Sequence, residues 1–206
     1  KIKMIISHYA SADESANKYN NKKFNLFKKI TKKYFFKKIK SINNSSGLGL
    51  RKKINLEMSR PGIAIYGGHN NSQLKKKIKP VVKLKAEIIQ IKEVNKNEYI
   101  GYNQTHKTKK KLTIAILGIG YADGLKRNLS NKGYAYFKKS KFKIIGRVSM
   151  DTTTIDITNK SQNLEPGIFI DIINYENDVE KLAKICDTIS NEILTSISNR
   201  VKRIYI

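Results

Sequence analysis

The chain has 206 residues, of which 39% are hydrophobic and 28% charged, a balance that excludes simple disorder and allows one or two domains with buried cores. Lys and Arg number 42 against 16 Asp and Glu, which gives a formal net charge of +26, but only six of the basic residues are arginine. Proteins that read phosphates and bases favour the fixed donors of arginine, so this lysine excess indicates solvated faces and no specific nucleic-acid site, although it will attract polyanions at low salt.

No membrane span or metal site is predicted. The longest apolar run, residues 112–122, contains a threonine and two glycines and is shorter than the roughly 20 residues that a bilayer helix needs. Cys186 is the only cysteine, so it cannot form an internal disulfide, and no Cys/His cluster has metal-ligand spacing. We therefore expect a cytoplasmic protein. Because the chain opens with Lys1 in a strand-like run and without a signal peptide, we also expect it to be part of a longer polypeptide.

The first third alternates strand and helix patterns. Residues 2–7, 36–42 and 63–66 are predicted strands. A helix is expected to begin at Ser11, with Glu14 completing its cap, and a short helix to cover residues 48–57. This order is typical of βα units on a parallel sheet. Three strands cannot close a barrel of about eight, so residues 1–79 are predicted to form either an open sheet or the last part of a barrel.

The pattern changes after Pro80 to short alternating runs separated by Gly, Asn, Asp and Pro, which predicts an antiparallel β domain over residues 80–206. Two helical segments are expected within residues 178–198 and a closing strand at residues 203–206. The predicted strands cover residues 81–94, 99–102, 112–119, 134–138, 142–145, 152–157 and 168–173.

Polar residues and glycines lie at the ends of the predicted parallel strands. His8 ends the first strand, Ser45 follows the second, and Arg60 and Gly62 precede the third. The carboxyl ends of parallel strands are where α/β folds place their sites, and glycine-containing turns expose N–H groups that can hold a phosphate. Each feature alone is more often a capped histidine or an ordinary turn.

Seven segments, in their order along the chain, resemble alanine racemase. The resemblance covers the whole chain and corresponds to the half of that enzyme from the later barrel strands to the C-terminus. The segments are His8-Tyr-Ala-Ser-Ala-Asp-Glu14, Asn44-Ser-Ser-Gly47, Arg60-Pro-Gly-Ile-Ala-Ile-Tyr-Gly67, Gly101-Tyr102, Gly118-Ile-Gly-Tyr-Ala-Asp-Gly124, Gly146-Arg-Val-Ser-Met-Asp151 and Arg200-Val-Lys-Arg-Ile-Tyr205.

The resemblance implies the last strands of a TIM-type βα barrel followed by an antiparallel β domain. It implies a racemase dependent on pyridoxal 5′-phosphate that interconverts L- and D-alanine and so supplies D-alanine for cell-wall peptidoglycan. It further implies a homodimer in which the β domain completes the partner's site. The Schiff-base lysine of the family lies in a region that this chain does not contain, so the chain alone is expected to be inactive.

The catalytic residues implied by the resemblance are Tyr102, Arg60 and His8. A racemase needs a base on each face of the reacting carbon, and Tyr102 matches the base towards L-alanine. A phenol's ordinary pKa near 10 must fall for that role, and nearby cationic donors would lower it. Arg60 matches the arginine that faces the pyridine nitrogen, and His8 matches a histidine that bridges this arginine towards the tyrosine.

The resemblance also assigns binding residues. The phosphate contacts are Ser45, Gly62 and Ile63, whereas the substrate-binding residues are Met150, Asp151 and Tyr121, the last at the entrance of the site. The chain departs from the family pattern at two positions. Ser41 replaces a second histidine against the arginine. Asn199 replaces a tyrosine that binds the phosphate, a contact that an amide can still donate.

Two alternatives remain open at this point. The substrate could be serine or another small amino acid. The chain could also be a basic nucleic-acid-binding β module, for which Tyr134-Ala-Tyr136-Phe137-Lys138-Lys139 is the best stacking segment. An edge strand protected by lysines is the favoured explanation of that segment.

Overall fold

The computed structural model describes residues 1–35, 37–50, 56–69, 72–159 and 164–206. The chain divides into two compact units, Lys1–Val81 and Val82–Ile206. We call them unit 1 and unit 2.

Unit 1 is built on two parallel strands. Strands β1 (Met4–Ile6) and β2 (Ile39–Ser41) pair with Ile6 opposite Ser41. A single parallel bridge then joins Ser41 to Met58, so the third strand position lies directly before Arg60. The connection from β1 to β2 is helix α1 (Lys18–Tyr34), as expected for a βα unit.

The predicted start of α1 at Ser11 is wrong. The helix begins after Asn17, whose side-chain oxygen accepts the Tyr19 N–H at 2.9 Å. Glu14 forms a turn with Ser11 and accepts from the Asn17 amide instead of closing a cap at Ser11. An Asn-capped start thus replaces the expected Ser/Glu pair. Asparagine caps a helix as strongly as serine does, and Glu14, which would have closed the cap at Ser11, bonds Asn17 instead.

The predicted strand at residues 63–66 is also wrong. Ile63–Tyr66 form one turn of 3-10 helix, which ends at Gly67 with φ +82°. Met58 already occupies the third parallel strand position, next to Ser41 of β2, and Pro61 and Gly62 then turn the chain. The predicted helix over residues 48–57 is reduced to a 3-10 turn, Ser46–Gly49, while residues 51–55 lie outside the described residues. A short helix α2 (Ser72–Lys75) follows.

Unit 1 has a small core of its own that contains the phenol of Tyr9. Tyr9 is 2% exposed and packs with Ala12, Phe27 and Ile42. Its hydroxyl has no hydrogen-bond partner among the described residues. Burial raises the pKa of the Tyr9 phenol to about 12, because the phenolate would lose its hydration.

We predict that Tyr9→Phe leaves the free energy of unfolding at pH 7 unchanged or higher, because a buried hydroxyl without a partner contributes little. A raised phenol pKa gives stability that is complete below pH 10 and is lost as the pH rises to 12. The unsubstituted chain should therefore lose about 2–3 kcal/mol over that range that Tyr9→Phe does not lose. Urea unfolding at pH 8 and pH 11.5 measures the difference, with the exposed Tyr66→Phe as control. Equal pH dependence of Tyr9→Phe and Tyr66→Phe would contradict the prediction.

Unit 2 is an antiparallel β structure. Its strands are β3 (Leu84–Val94), β4 (Tyr99–Ile100), β5 (His106–Lys107), β6 (Leu112–Leu117), β7 (Tyr134–Phe137), β8 (Ser140–Lys143), β9 (Thr153–Asp156) and β10 (Phe169–Ile173). Six of them form a sheet in the order β8-β7-β10-β3-β6-β9, and β4 and β5 form a separate hairpin. Each predicted strand between residues 81 and 173 is therefore confirmed, with ends shifted by a few residues.

The six-stranded sheet closes on itself. An antiparallel bridge between Ile144 and Ile155 joins the two ends of the strand order, and the Ile145 N–H donates to the Thr154 carbonyl at 3.0 Å. Closure leaves an apolar interior because side chains alternate along each strand, as at Leu84, Ala86 and Ile88. The loops at the ends of these strands carry site residues of unit 2, and the packed interior of the sheet holds the strands that anchor them.

Two helices follow the last strand, as predicted. Helix α3 (Val179–Cys186) is capped by Asp178, which accepts the Lys181 N–H at 2.9 Å, and α4 covers Ser190–Ser196. The predicted closing strand at residues 203–206 is wrong, since those residues are neither paired nor helical. Among the described residues, no helix combines the length and apolar character needed to cross a bilayer.

The stacking segment of the nucleic-acid alternative does not present a row of rings. Tyr136 is 8% exposed and lies within the sheet, and its strand is flanked on both sides by β8 and β10. The Lys141 ammonium lies 3.6 Å from the ring centre of Tyr134, so that ring already carries a cation. The segment is therefore an inner strand of the closed sheet and not the expected edge strand. Its packing removes the observation that favoured the nucleic-acid alternative.

Candidate functional site

Unit 1 contains a cluster of donors around Ser45, which we call the Ser45 cradle: Ser45, Gly62, Ile63 and Ala64. The buried Ser45 hydroxyl accepts the Gly62 N–H at 2.8 Å and the Ala64 N–H at 3.2 Å. The Ile63 N–H between them has no acceptor among the described residues. A Cβ added to Gly62 would meet nothing within 4 Å, so the space beside that amide is open. The Ile63 N–H and the Ser45 O–H, which remain as donors beside this open space, are suited to a phosphate.

The structure therefore brings Ser45, Gly62 and Ile63 together, although 17 residues separate Ser45 from Gly62. The turn after β2 makes this possible. Asn44 accepts the Gly47 N–H at 2.8 Å, which folds the chain into the 3-10 turn and places Ser45 towards the Gly62 segment.

Arg60 is held at the ends of both parallel strands. One guanidinium nitrogen donates to the Ser41 hydroxyl at 2.5 Å, and the other terminal nitrogen donates to the Ser7 carbonyl at 2.6 Å. Ser41 thus occupies the contact that the family pattern gives to a histidine. None of the ion pairs of the described residues involves Arg60, so its charge is free to face a ligand.

His8 lies beside Asn44. The His8 Nε2 is 3.0 Å from the Asn44 Nδ2. Because Asn44 Oδ1 accepts a backbone N–H, its Nδ2 is the donor, and His8 Nε2 must therefore accept with the ring proton on Nδ1. Among the hydrogen bonds of the described residues, none joins His8 to Arg60, so the expected bridge from this histidine stays a prediction.

Tyr102 lies on a tight turn between β4 and β5, which we call the tyrosine turn: Gly101–Thr105. Gly101, Asn103 and Gln104 all have positive φ, at +79°, +57° and +54°. A Cβ at Gly101 would lie 2.5 Å from the Arg147 backbone nitrogen, so only glycine allows the turn to approach the Gly146–Arg147 backbone. Tyr102 is 68% exposed at the tip, where its hydroxyl can reach a ligand.

Tyr121, Met150 and Asp151 lie on two loops that are bound together. The Tyr121 N–H donates to the Ser149 carbonyl at 2.9 Å, and the Ala122 N–H donates to the Met150 carbonyl at 3.0 Å. Only glycine fits at Gly120, because a Cβ added there would lie 2.2 Å from the Met150 carbonyl oxygen. The structure thus brings all three expected substrate-binding residues of unit 2 to one place.

Arg200 and Asp123 are functional candidates that sequence reasoning missed. Arg200 pairs with Asp151 at 2.7 Å and with Asp123 at 3.3 Å, and Asp123 in turn accepts the Gly120 N–H at 2.9 Å. These carboxylates, Asp151 first, raise the pKa of the Arg200 guanidinium. The Arg200 guanidinium therefore orients the loops that carry Asp123 and Asp151. The only sequence signal for its role was that it is a charged residue within one of the segments that resemble the family. Asn199, next to it, is exposed and accepts from Arg203 at 3.3 Å, so its expected phosphate contact stays a prediction.

A parallel βα unit followed by a closed antiparallel β unit defines a two-domain α/β class of protein. The family model "Alanine racemase, C-terminal domain" matches residues 81–205, and "Alanine racemase, N-terminal domain" matches residues 1–70. The chain belongs to the alanine racemase family, and this confirms the predicted fold class.

Curated relatives and solved structures agree. The alanine racemases of Brucella abortus and Rickettsia akari are 37% and 39% identical over the whole of this chain, which covers 55% and 56% of their lengths. The Bartonella henselae alanine racemase with covalently bound pyridoxal phosphate has a TM-score of 0.91 and 35% identity, covering all of this chain and 57% of that one. The Clostridium difficile enzyme in complex with cycloserine has a TM-score of 0.85 and 31% identity, covering 98% and 55%. The chain thus spans about half the length of the relatives that it matches.

Proposed function

We propose that this chain supplies the cofactor-phosphate cradle and one of two bases of an alanine racemase dependent on pyridoxal 5′-phosphate. The observation that carries the proposal is the Ser45 cradle, which has open space at Gly62 and lies two residues from the held guanidinium of Arg60. The Bartonella henselae structure, which covers all of this chain, contains that cofactor. Tyr102 is assigned as the base from the family resemblance of the Gly101-Tyr102 segment.

The residues of unit 1 fit the cofactor. The Ser45 hydroxyl and the Ile63 N–H would bind its phosphate, the Gly62 N–H would join them by exchanging its bond to Ser45 for one to the phosphate, and Arg60 would face its pyridine nitrogen. When bound, pyridoxal 5′-phosphate withdraws electrons from the substrate's α-carbon and so makes the α-proton removable. Arg60 has no lone pair to offer and cannot donate a full proton near neutral pH, so it leaves the ring nitrogen uncharged and moderates that withdrawal.

The residues of unit 2 act on the substrate. As the phenolate, Tyr102 takes the α-proton from L-alanine on one face of the carbon, and the resulting phenol returns a proton to that face in the reverse direction. The backbone N–H groups of Met150 and Asp151 would hold the substrate carboxylate, while Arg200 neutralises the Asp151 side chain, whose charge would otherwise repel it. Tyr121 narrows the entrance. A second base, on the opposite face, has no assigned residue in this chain.

A homodimer would let Tyr102 reach the cradle of a second copy, which agrees with its exposure at the tip of a turn. The single cysteine, buried and unpaired, agrees with a reducing cytoplasmic compartment. D-alanine, the product of the racemase, would be used to build cell-wall peptidoglycan.

The experiment that tests the proposal uses a hybrid racemase, defined as this chain joined to the segment of the Rickettsia akari alanine racemase that it does not cover. The expected result is a folded protein that binds pyridoxal 5′-phosphate, shows the visible absorbance of the bound cofactor and converts L-alanine into D-alanine. L-serine is measured beside it. A folded hybrid that binds the cofactor but racemises neither amino acid would overturn the proposed function.

We predict that Ser45→Ala in the hybrid racemase weakens cofactor binding about 10-fold, because a hydrogen bond to a charged phosphate contributes about 1.5 kcal/mol or more. The dissociation constant is measured by titrating the apoprotein with pyridoxal 5′-phosphate and following absorbance. Ser15→Ala, an exposed serine of the same unit, is the matched control and should bind normally. Unfolding midpoints show whether the variants remain folded. Equal dissociation constants for Ser45→Ala and Ser15→Ala would remove Ser45 from the phosphate site.

A further inference from the structure

The tyrosine turn has little regular structure of its own. Its two flanking strands have two residues each, and three of its residues adopt positive φ. Positive φ is unfavourable for Asn103 and Gln104, so the surroundings must determine this conformation. Within the turn, the Gln104 N–H donates to the Gly101 carbonyl at a long 3.3 Å.

The turn rests on the Gly146–Arg147 backbone. A Cβ at Gly101 would lie 2.5 Å from the Arg147 nitrogen, and a Cβ at Gly146 would lie 2.8 Å from the Ile100 oxygen. Two glycines therefore allow two backbones to touch. A shift of the Gly146 segment would therefore move the tyrosine turn, which carries Tyr102.

Asn131 contacts both parts of this arrangement. Its Oδ1 accepts the Gly146 N–H at 2.8 Å, and its Nδ2 donates to the Thr105 hydroxyl at 3.3 Å and to the Thr105 carbonyl at 3.4 Å. Thr105 is the last residue of the tyrosine turn. The side chain of Asn131 thus joins the far end of the turn to the backbone on which its near end rests.

The neighbouring residue strengthens the same connection. The Ser130 hydroxyl accepts the Val148 N–H at 3.0 Å, two residues beyond Gly146. Asn131 itself has φ +59°, a conformation that asparagine tolerates better than most residues. The choice of asparagine therefore satisfies both the local backbone and the two contacts of its side chain.

We propose that Asn131 is a positioning residue that orders the tyrosine turn and thereby aims the Tyr102 hydroxyl. The ordering concerns this chain alone. The effect on proton transfer rests on the proposed function.

The ordering is tested on this chain by hydrogen exchange, followed by NMR at single amides. Asn131→Gly keeps the left-handed backbone and removes both contacts, so the Gln104 and Gly146 amides should exchange at least about 10-fold faster. Asn131→Asp keeps the acceptor for Gly146 but loses the amide donor, so only Gln104 should exchange faster. Asn97→Gly is the matched control, because Asn97 has φ +70° on the exposed β3–β4 turn and its side chain makes no hydrogen bond among the described residues. Unchanged Gln104 exchange in Asn131→Gly would overturn the inference.

The aiming is tested in the hybrid racemase. Asn131→Gly should lower kcat about 10-fold and change KM less than about twofold, since a misplaced base slows the chemical step and leaves substrate contacts intact. The α-deuterium isotope effect with L-alanine should rise, because removal of that proton becomes more limiting, whereas a merely structural loss of folded protein would leave it unchanged. Asn97→Gly should match the unsubstituted hybrid in both. Loss of activity in Asn131→Gly without a change in the isotope effect would overturn the positioning role. A folded but inactive unsubstituted hybrid would instead contradict the proposed function, and the exchange test alone would then decide whether Asn131 orders the turn.

Discussion

Tyr102→Phe should lower kcat for alanine racemisation by the hybrid racemase about 10²- to 10⁴-fold, the range that a positioned acid or base contributes. The change removes only the hydroxyl oxygen. The ring remains on a side chain that is 68% exposed, and the glycine contacts that hold the turn do not involve the Tyr102 side chain. Folding and cofactor binding should therefore be unaffected. Polarimetry or coupled D-alanine oxidation measures the rate.

Tyr99→Phe is the matched control for that prediction. Tyr99 lies three residues earlier on β4, is 52% exposed and carries the Lys107 ammonium 5.5 Å from its ring centre, an interaction that phenylalanine retains. It should racemise alanine at the normal rate. If Tyr102→Phe also stays within about threefold of normal, Tyr102 does not transfer the proton.

Gly120→Ala should cost this chain about 3 kcal/mol of unfolding free energy, because the new methyl group has no space. It would lie 2.2 Å from the Met150 oxygen and 2.4 Å from the Ser149 oxygen. Both are backbone atoms, which cannot rotate away as a side chain can, so the cost is at the upper end of that for overpacking. The φ of Gly120 is −145°, so overlap and not backbone strain causes the loss. Urea unfolding of unit 2 measures it.

Gly118→Ala, two residues earlier, separates this overlap from a general effect of replacing glycine. A Cβ at Gly118 would meet the Ile89 methyl at 3.2 Å, and Ile89 is exposed and free to turn. Its cost should stay within about 0.5 kcal/mol. Similar unfolding midpoints for Gly118→Ala and Gly120→Ala would show that the two loops do not touch as described.

Local pattern was sufficient for β4, for the six strands of the closed sheet and for the two helices of unit 2, but it missed β5 and placed a strand wrongly at residues 203–206. Alternation of apolar residues, as at Leu84, Ala86 and Ile88, depends on the period of the backbone itself and so survives without knowledge of the partner strand. Local pattern failed where two signals competed. The apolar run Ile63–Tyr66 has strand composition, but the strand position had already been filled at Met58, which no local signal marks.

The order of the recognised segments determined the family, because those segments are short motifs whose identity does not depend on packing. Only the tertiary structure decided what holds them. Ser45 meets Gly62 across 17 residues, Arg200 meets Asp151 across 49, and Asn131 meets Thr105 across 26. Such contacts arise when a closed sheet or a parallel strand pair brings its ends together, and spacing along the chain carries no record of that geometry.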